Sequence, residues 1–153
     1  MSDTYTTIHL QFVFAVRNRE GTIHASWKDE LYKYITGIVQ HYGHKMICIN
    51  GMPDHIHILI GMRPTQSVAD LVREIKSNSS KWIKEKKFVA GIFEWQAGYG
   101  AFSYSKSHLP NVINYIKNQE LHHKTVSFRA EYVSFLEEFE ITHEEKHIFQ
   151  ELV

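Results

Sequence analysis

The chain begins with a strict alternation. Across 5–16 (YTTIHLQFVFAV), Ile8, Leu10, Phe12, Phe14 and Val16 fall on one side of an extended backbone, and Thr7, His9 and Gln11 on the other. That period predicts a strand with one buried face. A polar connection over 17–26 follows. Over 27–42 the period becomes helical: Leu31, Ile35, Ile38, Val39 and Tyr42 share a stripe, and Ser26, with Asp29 three residues on, is placed to cap it. Gly43 is suited to end that helix in the left-handed conformation. Short apolar runs at 45–50 and 55–60 flank the turn cluster Gly-Met-Pro-Asp at 51–54, which predicts a hairpin.

A second long helix is predicted over 67–87, with Ser67 and Asp70 repeating the capping pattern and Val68, Leu71, Val72, Ile75, Trp82 and Ile83 on one stripe. Strand-like runs at 92–95 and 101–104 surround Gln-Ala-Gly-Tyr-Gly. Helices over 109–123, with Pro110 in the first turn, and over 128–140 complete the pattern. The order strand, helix, strand, strand, helix, strand predicts an α+β fold, a ferredoxin-like split βαβ antiparallel sheet with both long helices on one face and additional C-terminal helices. The other face is expected to be bare unless the third helix or a partner chain covers it. Nothing in the pattern divides the chain, so 1–153 is expected to be one domain, with 124–153 forming a C-terminal helix and an acidic tail.

Composition narrows the chemistry. Lys plus Arg and Asp plus Glu both total 17 in 153 residues, so a whole-chain attraction to nucleic acid or membrane is excluded and only a local patch remains. Such a patch exists: 63–87 holds seven basic and three acidic residues, whereas 131–153 holds seven acidic residues and one basic. A single cysteine, Cys48, excludes an intramolecular disulfide and Cys-rich zinc sites. The absence of a signal-like start and of a long apolar run points to a cytoplasmic protein without a membrane span.

Eleven histidines supply the candidate ligands, and chance alone gives about one His-x-His pair at that abundance. His55-Ile56-His57 puts two imidazoles on one face of a strand, which is most of a divalent-metal site or simply two structural histidines. Tyr115 and Gln119 are stacked at i,i+4 on a helix; alone, they read as a packed phenol and a solvated amide. His143-Glu144-Glu145-Lys146-His147 fits the zinc-protease spacing but sits at the end of an acidic tail, where a solvated segment is the better reading. His122 and His123 suit the C-terminal end of a helix dipole, and His41 and His44 have no assigned role. Trp95, Tyr99, Phe102 and Tyr104 are candidates for base stacking, although core packing is the commoner fate of such residues.

Taken in order, GMPDHIHILIG, SVADLVREIKSNSSKWI, EWQAGYGAFSYS and NYIKNQELHH resemble the IS200/IS605-type single-stranded DNA transposases, the single-tyrosine members of the HUH endonucleases. The resemblance spans about 5–123. It implies that His55, His57 and Gln119 hold a divalent cation, Mg²⁺ or Mn²⁺, and that Tyr115 is the nucleophile. It also implies a single-stranded DNA substrate with hairpin ends, cleaved and rejoined through a 5′-phosphotyrosine, and a homodimer whose active sites are shared between subunits. Arg17, Arg73, Lys76 and Lys81 are the candidates for DNA-backbone contacts. The alternatives are another HUH nuclease, a replication initiator or relaxase, and a non-catalytic nucleic-acid-binding module on the same fold. Lys117, at i+2 from Tyr115, does not match the initiator spacing, whereas Gln119 matches the transposase pattern.

Overall fold

A computed structural model describes residues 3–141. The His143–His147 motif and the end of the acidic tail lie outside the described residues. Four strands, β1 (His9–Ala15), β2 (Lys45–Met52), β3 (His55–Gly61) and β4 (Gly100–Tyr104), form one sheet in the order β2-β3-β1-β4, with every neighbouring pair antiparallel. Helices α1 (Lys28–His41) and α2 (Val68–Lys86) connect them in the predicted split βαβ order. The remaining helices are α3 (Leu109–Lys117), α4 (Gln119–His122) and α5 (Phe128–Glu138). The fold is therefore α+β, as the pattern indicates.

The pleat sorts side chains into two cores. Phe12, Phe14, Ile56, Ile58 and Ile60 point to one face and pack against Leu31, Ile35 and Val39 of α1 and Leu71, Val72, Ile75 and Ile83 of α2. Val13, Ala15, Phe102 and Leu59 point to the other face. That second face is not bare. Phe128, Tyr132, Phe135 and Leu136 of α5 cover one part of it, and Val112 and Ile116 of α3 cover another. Apolar burial of this kind contributes about 25 cal/mol per Å², and the cover comes from the chain itself: from α3, one of the two covers expected, and from α5, which was not expected there. Among the described residues, no helix is long and apolar enough to cross a membrane.

Local chemistry explains most boundaries. The Ser67 hydroxyl accepts from the Asp70 N–H at 3.0 Å, and Gly43 sits at φ +87° after α1, both as expected. Ser26 does not cap α1; the His24 carbonyl takes the N–H groups of Trp27 and Lys28 at 3.1 and 3.0 Å instead. The expected strand over 92–95 is reduced to a bridge between Trp95 and Val16. Its continuation is drawn toward α2, because the Lys76 ammonium donates to the Gln96 and Gly98 carbonyls. The single helix expected over 109–123 breaks at Asn118, giving α3 and α4. Asn50 of β2 donates to the Ile116 and Lys117 carbonyls at 2.9 and 3.2 Å, which ties the end of α3 to the sheet.

Candidate active site

His55 and His57 enter the second face from β3 because their register leaves Ile56 and Ile58 for the first core. Both imidazoles are buried, and their ring centroids lie 5.3 Å apart. The hairpin turn places Asp54 beside its neighbour, so His55 Nδ1 lies 2.7 Å from Asp54 Oδ1. His57 Nδ1 lies 2.7 Å from Gln11 Oε1 on β1, and Gln11 Nε2 in turn donates to the Tyr104 hydroxyl at 2.9 Å. From the helical side come Tyr115 on α3 and Gln119, the first residue of α4 and fully buried. Gln119 Oε1 stands 3.2 Å from His55 Nε2. The Tyr115 ring sits edge-on to His57, at 5.9 Å between centroids. The four residues singled out in the sequence therefore meet within one chain.

Three further residues belong to the same cluster. Glu131 of α5 is buried, with Oε1 3.0 Å from His57 Nε2, 3.2 Å from His123 Nε2 and 3.6 Å from His55 Nε2. Its Oε2 accepts from the Gln119 amide at 3.1 Å and from the Tyr115 hydroxyl in a short contact. His123 Nε2 also faces Gln119 Oε1 at 3.0 Å, while its Nδ1 donates to the Val126 carbonyl at 2.7 Å. His122 Nε2 lies 3.2 Å from the Tyr115 hydroxyl and 3.2 Å from Glu131 Oε2. The signals were present in the sequence. His122 and His123 follow Gln119 at i+3 and i+4, and Glu131 sits inside the apolar stripe Phe128, Tyr132, Phe135, Leu136.

Burial sets the protonation pattern. It pushes His57 down to about 3, helped by the neighbouring His122, and His123 down to about 4, helped by His55. His55 is lowered for the same reason against the pull of Asp54. Burial raises Glu131 to about 7. The imidazoles are thus held neutral, the state in which they bind metals. Each Nδ1 faces an acceptor, so each ring carries its proton there and turns an Nε2 lone pair inward. Among the described residues, His55, His57, His123 and Glu131 bring ligand atoms within 4.8 Å of one another. A set of neutral imidazoles with an oxygen donor fits a divalent cation.

His57 faces away from the α1/α2 core, yet it is fully buried on the second face. Its truncation to Ala therefore leaves a cavity as well as a missing ligand. Beside the cluster a cleft of about 760 Å³ opens, lined by Gln11, Tyr104, His108, Tyr115, His122 and Glu131 among others, and gives access to the phenol. The basic candidates lie elsewhere. Helix α2, which carries Arg73, Lys76 and Lys81, packs on the opposite sheet face from Tyr115. Arg73 is exposed and pairs with Asp70 at 3.1 Å, Arg17 pairs with Glu94, and Lys81 is exposed. Lys76 is partly buried, and the loss of water around its ammonium holds it down at about 8 although it donates to the Gln96 and Gly98 carbonyls. Phe102 is core, Trp95 packs edge-on to Phe14 at 4.9 Å, and Tyr99 is exposed.

Comparison with known proteins identifies the family. The family model described as "Transposase IS200 like" matches residues 4–119. The ISDra2 transposase TnpA of Deinococcus radiodurans is 24% identical over 119 residues, covering 73% of this chain and 84% of the relative. A crystal structure of a transposase candidate from Deinococcus radiodurans R1 superposes with a TM-score of 0.59 at 21% identity, over 78% of this chain and 95% of that one. A REP-associated tyrosine transposase bound to a REP hairpin superposes with a TM-score of 0.60 at 17% identity, over 82% and 76%. The sheet order, the buried histidine pair beside a helical tyrosine, and a family match over most of the length lead to one conclusion: the chain belongs to the IS200/IS605-type transposases.

Proposed function

We propose that this protein cleaves and rejoins single-stranded DNA through Tyr115, with His55, His57 and Gln119 holding a divalent cation, Mg²⁺ or Mn²⁺. The observation that carries the reading is the enclosure of the Tyr115 hydroxyl by Glu131 and His122, with the His57 ring edge-on beside it, all within one chain. The bound ion would neutralise charge on the scissile phosphate. The phenolic oxygen attacks phosphorus in line. The Tyr–O–P bond forms as the bond from phosphorus to the 3′ oxygen breaks, leaving a 5′-phosphotyrosine and a free 3′-hydroxyl. A free phenol with its ordinary pKa near 10 is a weak nucleophile. Here Glu131 Oε2 and His122 Nε2 both contact its hydroxyl and can receive the proton. Attack by another 3′-hydroxyl reverses the step on a new strand, so no nucleotide is consumed.

The 760 Å³ cleft would admit a splayed strand end to Tyr115. The hairpin held by the REP-associated relative supports a structured single strand as the ligand. Because α3 and α5 cover the sheet within the chain, Tyr115 would serve the histidines of its own chain, whether or not copies associate through another surface.

The test is incubation with end-labelled single-stranded DNA from the flanks of its own gene, with and without Mn²⁺. A metal-dependent covalent protein–DNA adduct is expected from the native chain. Tyr115→Phe should give none while still retarding the same DNA on a gel. Adduct formation by that variant at the native level would remove Tyr115 as the nucleophile.

A further inference from the structure

The cluster holds more donors than the two histidines and the carboxamide that the family resemblance supplies. Three Nε2 lone pairs, from His55, His57 and His123, converge with Gln119 Oε1 and Glu131 Oε1: five of the pairs are 3.0 to 3.6 Å apart, and the imidazole and carboxylate ligand atoms all lie within 4.8 Å of one another. All three rings are locked in this tautomer from behind, by Asp54, Gln11 and the Val126 carbonyl. Five acceptors thus face one point. Apart from one proton on Glu131, they bring no hydrogen to share, an arrangement that costs free energy until a cation fills it. Donors about 2.1 Å from one ion stand ~3.0 to ~3.4 Å from each other in octahedral or tetrahedral geometry. Four of these five spacings fall in that range, and the fifth, Glu131 Oε1 to His55 Nε2 at 3.6 Å, lies just above it.

We infer that Glu131 and His123 are direct ligands of the cation, so that the centre comprises three imidazoles, a carboxylate and the Gln119 carboxamide, and that it selects Mn²⁺ over Mg²⁺. The carboxylate divides its work. Oε1 turns to the imidazoles, and Oε2 takes the Tyr115 hydroxyl and the Gln119 amide. Glu131 therefore also ties the position of the nucleophile to the filled metal site. The preference follows from donor chemistry. Mg²⁺ takes oxygen donors and keeps several waters, which a buried pocket with three nitrogens does not allow, whereas imidazole suits first-row transition ions.

The inference builds on the strand-transfer reading, but its test needs no DNA. Mn²⁺ and Mg²⁺ are titrated calorimetrically into the full chain and into Glu131→Gln and His123→Asn, with thermal unfolding run alongside. Losing an outer-shell partner costs roughly 10–100-fold in metal affinity. Losing a ligand should reach or exceed the upper end of that range in each variant, and native Mn²⁺ should survive a tenfold excess of Mg²⁺. Where a variant does not fold, pulsed EPR of the Mn²⁺-loaded native chain counts the coupled imidazole nitrogens. Three are expected, and two would remove His123. Mn²⁺ affinity within twofold of native in Glu131→Gln, or equal affinity for Mg²⁺, would overturn the assignment. The outcomes separate the two ideas: Mn²⁺ bound by Glu131 and His123 without any adduct would leave the metal centre standing and sink strand transfer, whereas adducts with an unchanged Glu131→Gln affinity would do the reverse.

Discussion

The strand pair that delivers the histidines is set by one glycine, and replacing it tests how tightly the site depends on the sheet. Gly51 of β2 lies opposite Ile56 of β3. A Cβ added there would stand 2.2 Å from the His55 carbonyl oxygen and 2.8 Å from the Ile56 Cα, against an ordinary contact of 3.4 Å or more. The shortfall of 1.2 Å must come from backbone, because Ile56 and Ile58 are fully buried in the α1/α2 core and do not swing aside. Overpacking a tight site costs typically 1–3 kcal/mol, and an obstacle made of backbone on a central strand belongs at the top of that range, ~3 kcal/mol. Gly37 is the control. It lies exposed on α1 with nothing within 4 Å of an added Cβ, so Gly37→Ala should stabilise by ~0.5–1 kcal/mol. The same chemical change thus has opposite signs, separated by about 4 kcal/mol. At a urea slope near 2 kcal/mol/M the two midpoints should differ by roughly 2 M. Mn²⁺ affinity should fall in Gly51→Ala because His55 moves, and should hold in Gly37→Ala. Equal midpoints for the two variants would show that β2 and β3 are not paired as described.

Two further outcomes follow from the site's enclosure. With a chelator present, His57 and His123, lowered to about 3 and about 4, bind fewer protons folded than unfolded below 6.5. Their contribution is complete above pH 6.5 and is lost as pH falls through about 4 for His123 and about 3 for His57. Glu131, raised to about 7, has the opposite sign: its contribution is complete below its ordinary 4.5 and is lost as pH rises through 7. The melting temperature should therefore peak near pH 6.5 and fall on both sides, and His123→Asn should flatten the acid limb; an unchanged limb in that variant would refute the burial argument. Phe128 stacks on His55 at 4.0 Å between centroids and is buried, so Phe128→Ala should cost about 3–5 kcal/mol in urea unfolding, and a loss below ~1 kcal/mol would show that α5 is not docked there.

Much of this protein is written in local pattern. Alternation marked the first strand, short apolar runs around turn clusters marked the other three, and helical stripes marked both long helices, because each face must bury its apolar side chains whatever the neighbours are. The same periodicities put His55 with His57, and Tyr115 with Gln119, on common faces before any tertiary contact is known. The break at Asn118 and the loss of the 92–95 strand were not legible, since each depends on a distant group: Asn50 holding the end of α3, and Lys76 gathering the Gln96 and Gly98 carbonyls; at α1 a local competitor, the His24 carbonyl, took the N–H groups in place of the Ser26 cap. What covers the second sheet face was equally undecided, because the stripe Phe128, Tyr132, Phe135, Leu136 says only that α5 needs a surface and not which one. Once α5 docks on Val13, Ala15 and Phe102, Glu131 is carried into the histidines, 74 residues along the chain from His57. Periodicity assigns a residue to a face. Only packing assigns that face to a partner, and here that choice built the carboxylate side of the site.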